Sequence, residues 1–182
     1  DKRWEDSAET NKATAALISD VGSAVKFILS GDISGSGNLL HSGEGTLVLS
    51  GDSDFTGGMQ ATGGVVEVQS ATGLGATANG SNKVTINAEA DLHVSVEANY
   101  QDSRMTTILA VEDQKIKGDV VISGTSETER ILHMACEGYE AQSTTVNENG
   151  TLLVHGEGVS ATTARLSGSG KVVVSDASGS AA

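Results

Sequence analysis

The chain is 182 residues long, with 23 glycines, no proline, one cysteine and only 3% aromatic residues. So little aromatic volume excludes an enzyme-like core rich in Phe and Trp and leaves an interior of Val, Ile, Leu and Ala, which stack well in a narrow solenoid. The formal net charge of -13 repels phosphate backbones and anionic lipid surfaces, which argues against nucleic-acid partners and against membrane insertion by this chain.

The glycines follow no three-residue period, so the chain is not collagen-like. Cys136 stands alone, which rules out an internal disulfide framework and a Cys-only metal site. No run reaches the roughly eighteen apolar residues of a membrane helix, and no charged-then-apolar leader opens at Asp1.

Residues Asp1 to Val21 are Ala-rich and polar, with Ser7 or Thr10 as possible helix caps ahead of Ala13 to Ile18. A short helix or an irregular first strand fits equally. From Lys26 onward, aliphatic runs alternate with turn residues, and the spacing predicts strands at Lys26–Ile33, Leu39–His41, Thr46–Ser50, Met59–Ala61 and Val65–Gln69. Lys83–Ala88 and Asp91–Glu97 continue the series, and the polar stretch Asn99–Arg104 reads as a protruding loop. Thr106–Val111, Lys115–Ser123, Glu129–Met134, Thr144–Asn147, Thr151–His155, Thr163–Ser167 and Lys171–Ser175 complete it. So many short strands leave no room for βαβ units, and their density corresponds to roughly five to seven solenoid turns.

In the stretch Gly35 to Val68, alternation puts Leu47 and Leu49 on the inner face of a strand and Val48 on the opposite, exposed one, with Gly57 or Gly58 taking a positive φ at the following turn. This stretch resembles the passenger-associated transport repeat of bacterial autotransporters. The resemblance rests on Gly35-Ser36-Gly37-Asn38-Leu39, then Gly43-Glu44-Gly45-Thr46-Leu47-Val48-Leu49-Ser50-Gly51, then Phe55-Thr56-Gly57-Gly58. Gly150-Thr151-Leu152-Leu153-Val154 and Leu166-Ser167-Gly168-Ser169-Gly170-Lys171-Val172 look like partial copies.

The resemblance implies an all-β fold, a single-stranded right-handed parallel β-helix. The expected division is a cap or partial rung over 1–24, the β-helix over 25–175 and a flexible tail over 176–182. It also implies a structural segment of a secreted or surface-displayed passenger, whose partner in the full-length protein is the outer-membrane translocation machinery.

Other motifs are incomplete. Gly51-Asp52-Ser53 is followed by Asp54 where a chymotrypsin-like serine protease has glycine, and His41 lies too close upstream to belong to a separate barrel. Asp52 and Asp54 share a turn suited to Ca²⁺ oxygens, but neither the EF-hand nor the β-roll pattern surrounds them. His133, Cys136 and Glu137 are too few for a tetrahedral metal site, although His155 could approach across turns. Gly156-Glu157-Gly158 lacks the strand-to-helix context of a dinucleotide loop. The sequons at Asn79 and Asn149 read as turns.

Two rival functions remain. An adhesin-type module would recognise host glycan or protein through a strand face or the Asn99–Arg104 loop, helped by an aromatic platform at Trp4, Tyr100 or Tyr139. A carbohydrate-active β-helix enzyme would pair carboxylates with Arg104, Arg130 or Arg165 in one groove. The expectation is a scaffold without enzyme activity, catalytic residue, metal or cofactor.

Overall fold

Alternation of period two buries every second side chain of a strand, and a chain made of such strands closes its core by coiling on itself. The computed structural model describes residues 16–78, 82–96, 100, 102–110, 114–156 and 159–175. Among these residues it is all-β, a parallel solenoid of seven turns without a helix.

One side is a seven-stranded sheet of β1 (Ala16–Ser19), β3 (Asn38–His41), β5 (Met59–Ala61), β7 (Val84–Ile86), β10 (Lys115–Ile116), β13 (Tyr139–Ala141) and β16 (Ala161–Thr163). The second side stacks β2 (Lys26–Leu29), β4 (Thr46–Leu49), β6 (Gly64–Val68), β8 (Ala90–Val94), β11 (Val120–Ile122), β14 (Thr144–Val146) and β17 (Leu166–Ser167). On the third side lie β9 (Arg104–Leu109), β12 (Glu129–Met134), β15 (Gly150–His155) and β18 (Lys171–Ser175). Among the described residues of the first three turns this side has no regular strand, yet amides still bond from turn to turn, as from Asp54 to the Ile33 carbonyl (3.0 Å) and from Ala76 to that of Phe55 (3.0 Å).

Register aligns like with like. On the second side Phe27, Leu47, Val66, Leu92 and Val120 form one inward ladder, and Leu29, Leu49, Val68, Val94, Ile122 and Val146 form the next. The members of the middle turns are buried within one continuous core. At the terminal turns, inner positions have no ladder neighbour on one side among the described residues, and Phe27, Val172 and Val174 stand exposed.

Several boundaries differ from the sequence reading. Lys115–Ser123 is two strands, because the chain turns a corner at Gly118, whose backbone packs directly on the Ala90 carbonyl. The span 163–167 is likewise broken by the corner between β16 and β17. The strand that begins at Lys26, β2, stops at Leu29 rather than Ile33, and Arg104 opens β9 instead of closing a loop. Of the two readings of the Ala-rich segment the strand is the one found, as β1, and one strand escaped the reading, the short β13 with its central Glu140. Of the expected cap, residues 1–15 lie outside the described residues, as does the expected tail at 176–182.

The exposed face assigned to Val48 is corrected too. Val48 does point away from the core ladder, yet it is only 1% exposed. It pairs with Ile28 on one side and Glu67 on the other, and Lys26 reaches across β4 to Glu67 with a 2.8 Å ion pair. The aliphatic stem of Lys26 and this pair screen the surface between them.

Candidate functional site

The glycine-punctuated segment fills the second turn and most of the third. Leu39, Leu47, Leu49 and Phe55 are buried in the interior, and Thr46 lies half-buried on the outer face. Gly43 and Gly45 form the corner between β3 and β4, Gly51 follows β4, and Gly35 and Gly37 lie on the third side ahead of β3. Gly57 and Gly58 lead into β5 for different reasons. A side chain at Gly57 would meet the Gly37 and Ser36 carbonyls at 2.2–2.3 Å, whereas Gly58 has space around it but holds φ at +112°.

His41 closes this corner from inside. Wholly buried, it places Nδ1 3.2 Å from the Ser19 carbonyl of the turn before and Nε2 3.2 Å from the Gly45 carbonyl. The Ser53 hydroxyl, on the following loop, accepts the Ile33 amide at 3.2 Å. Asp52 is a loop cap: its carboxylate accepts from the Ser70 hydroxyl at 2.6 Å, and its own amide donates to Asp32 at 2.9 Å.

Arg130 is a correction of a different kind. As a surface group it could have served a catalytic pair, but it is fully buried in the interior ladder, between Met105 and Gly150. Its guanidinium donates to the Ser95 carbonyl through Nε, to Thr107 Oγ1 at 2.8 Å and the Ser70 carbonyl at 3.2 Å through Nη2, and to the Met105 carbonyl at 3.4 Å through Nη1. Desolvation pushes its pKa down to about 10, which leaves it charged at neutral pH. Ser95 follows the last residue of β8, and Arg130 Nε supplies the donor to its carbonyl.

Tyr139 is also corrected: it offers no platform, because it is 2% exposed, with its hydroxyl 2.8 Å from Thr144 Oγ1. Burial pushes that phenol up to about 12. Tyr100 is half-buried beside Arg104, whose carbonyl accepts its hydroxyl at 3.5 Å, and Trp4 lies outside the described residues. Cys136 donates to the Leu109 carbonyl at 3.1 Å, and burial raises its thiol to about 11. His133 instead meets His155, ring centres 5.6 Å apart. Among the described residues no three His, Cys, Asp or Glu side chains gather as metal ligands. Asn149 occupies a turn at φ 56°, while Asn79, Glu157 and Gly158 fall outside the described residues.

Two features were missed in the sequence. The register Val120–Leu92 sets Asp119 beside Asp91 on neighbouring turns, and burial first, then Asp119, raises the Asp91 carboxyl above its ordinary range. Only the one-turn offset, invisible before the corners were known, could have paired them. The second is a groove of about 410 Å³ at the seam where β9 begins, lined by Ser53, Asp54, Thr72, Thr77, Thr106 and Ile108 among others.

Residues 41–68 match the passenger-associated-transport-repeat family. The matched repeat runs from His41, the last residue of β3, through Val68, the last of β6, so it is a little more than one solenoid turn. Gly35, Gly37 and Leu39 lie ahead of it. The partial copies seen in the sequence do not share its place, for Gly150–Val154 lies in β15 on the third side and the repeat's Thr46–Leu49 on the second. No curated protein and no solved structure matches the chain. A transport repeat set within a parallel β-solenoid is consistent with an autotransporter passenger.

Proposed function

We propose that this chain is a structural solenoid segment of a secreted or surface-displayed autotransporter-type passenger, which supports its export and spaces it from the cell. The observation that carries this is the position of the transport repeat, built into the continuous core and paired on both sides with neighbouring turns. Each turn docks on the edge of the one before, so a chain emerging through an outer-membrane translocation machinery can fold turn by turn, its folded part opposing return. One cysteine and no proline suit passage as an unfolded thread, free of disulfides and of slow prolyl isomerisation.

The test is Leu47→Asp in the full-length protein, in the cell that makes it, with surface passenger followed by protease shaving. Surface passenger should fall severalfold while synthesis is unchanged. Unaltered display of a variant whose purified solenoid is unfolded would remove the solenoid from the export step.

A second reading, an adhesin-type module for host glycan or protein, draws support from the seam groove with its hydroxyls and the Asp54 carboxylate. The enzyme reading has less. Arg130 serves the core, and Asp91 and Asp119 sit on an outer strand face. We therefore propose no turnover for this segment and no nucleic-acid partner. A screen against pectins, mucin glycans and casein checks the first, and sustained turnover abolished by Asp91→Asn would reverse it.

A further inference from the structure

His133 and His155 come from adjacent turns, on β12 and β15. In the register His133 faces Leu153, so His155 lies two residues further along the neighbouring strand, on the same outer face. Their ring centres are 5.6 Å apart with the planes tilted by 48°. Nε2 of His133 is shut off from solvent and has no hydrogen-bond partner. A screened ring nitrogen without a partner is costly for a neutral polar group unless something else binds there.

We propose that His133 and His155 form a two-imidazole site for a borderline divalent transition-metal ion, with copper(II) bound most tightly, then nickel(II) and zinc(II). Two imidazoles bonded to one ion at about 2.0–2.1 Å each put their ring centres roughly 4.5–6.5 Å apart as the angle at the ion opens from a right angle to a straight line, a range that includes the 5.6 Å found. Ile108 and Leu153 flank His133 in the ladder and Ser175 pairs with His155, and no third His, Cys, Asp or Glu among the described residues joins them. A nitrogen-only pair excludes Ca²⁺ and Mg²⁺, which need oxygen cages. Bound there, the ion clips two successive turns together on their outer face.

Copper(II) titration of the whole chain tests this, by calorimetry and by electron paramagnetic resonance at pH 7.4, alongside His133→Gln, His155→Gln and His93→Gln. His93 lies on the second side and His41 is buried, so neither contributes. The expected result is one equivalent with coupling to two imidazole nitrogens, affinity lowered at least tenfold by His133→Gln and by His155→Gln, and no change for His93→Gln. Binding to the native state should also raise the melting temperature of the unaltered chain with metal concentration. Circular dichroism without metal separates loss of the site from loss of fold. Binding that survives both substitutions, or an unaltered chain showing coupling to one imidazole or none, overturns the site.

Discussion

Lys26 on β2 donates to the Glu67 carboxylate on β6 at 2.8 Å, passing over the strand between them and over Val48. Burial alone would push the Glu67 carboxyl up, but hydrogen bonds from Lys26, Gln69 and Ser95 and the Lys26 charge outweigh it and hold the pKa below its ordinary value. Such a carboxylate contributes stability above its unfolded pKa, and that contribution fades as pH falls through the folded value. Glu67→Gln should therefore lower the melting temperature at pH 7 and make no difference once both forms are protonated, near pH 2.

The same strap sets the cost of changing Val48. Leu47→Ala should cost about 2–5 kcal/mol in urea denaturation, from lost transfer energy and the cavity left behind. Val48→Ala should cost about 1.5 kcal/mol, from two buried carbons at about 0.8 each, well above the ~0.5 kcal/mol of an exposed position. A Val48→Ala cost indistinguishable from zero would mean that the strap is absent in solution.

Arg130 should tolerate no replacement. Removing its fork leaves the Ser95 carbonyl buried without a donor, at about 1–3 kcal/mol, and takes one bond each from the Val68, Ser70 and Met105 carbonyls and from Thr107 Oγ1. Arg130→Met should lose most of the stability of the domain, and Arg130→Lys, which keeps the charge but cannot spread across separated carbonyls, should still lose at least ~2 kcal/mol. Denaturation midpoints with unchanged m-values check both.

Asp91 carries the opposite sign to Glu67. Its folded pKa is raised, so the folded state takes up a proton more readily, and stability is lost as pH rises through that folded value. Asp91→Asn should raise the melting temperature at pH 7, with the gain vanishing below the unfolded carboxyl pKa. A gain independent of pH would show that Asp119 and burial are not its cause.

Gly57 and Gly58 separate two roles of glycine. Gly57→Ala forces a methyl into carbonyls of the turn below and should open that spacing, whereas Gly58→Ala meets nothing closer than 3.4 Å and costs only the strain of a positive φ, roughly 1–2 kcal/mol. Melting shifts should rank Gly57→Ala well above Gly58→Ala.

The inward ladder through Leu47 and Leu49 and the glycine turn before β5 were legible because period two and turn chemistry are local signals. What was hidden depends on the turn-to-turn offset. The cover over Val48 comes from two other strands, the pairing of Asp91 with Asp119 needs the length of a whole turn, and Arg130 is interior because it falls on the inward period of β12, between Met105 and Gly150. Corners at Gly118 and between Thr163 and Leu166 were read through, since each is too short to interrupt an aliphatic run.

The central claim, a parallel solenoid in this register through the transport repeat, is tested most directly by disulfide cross-linking in a Cys136→Ala background. Thr46 and Val65 are paired on adjacent strands, a separation of about 4.7–4.9 Å that falls within the range of disulfide-linked Cα atoms. Thr46→Cys with Val65→Cys should oxidise to a single intramolecular bond, while Thr46→Cys with Val66→Cys, one residue out of register and facing inward, should stay reduced. Cross-linking of the second pair in preference to the first would contradict the register and the solenoid built on it.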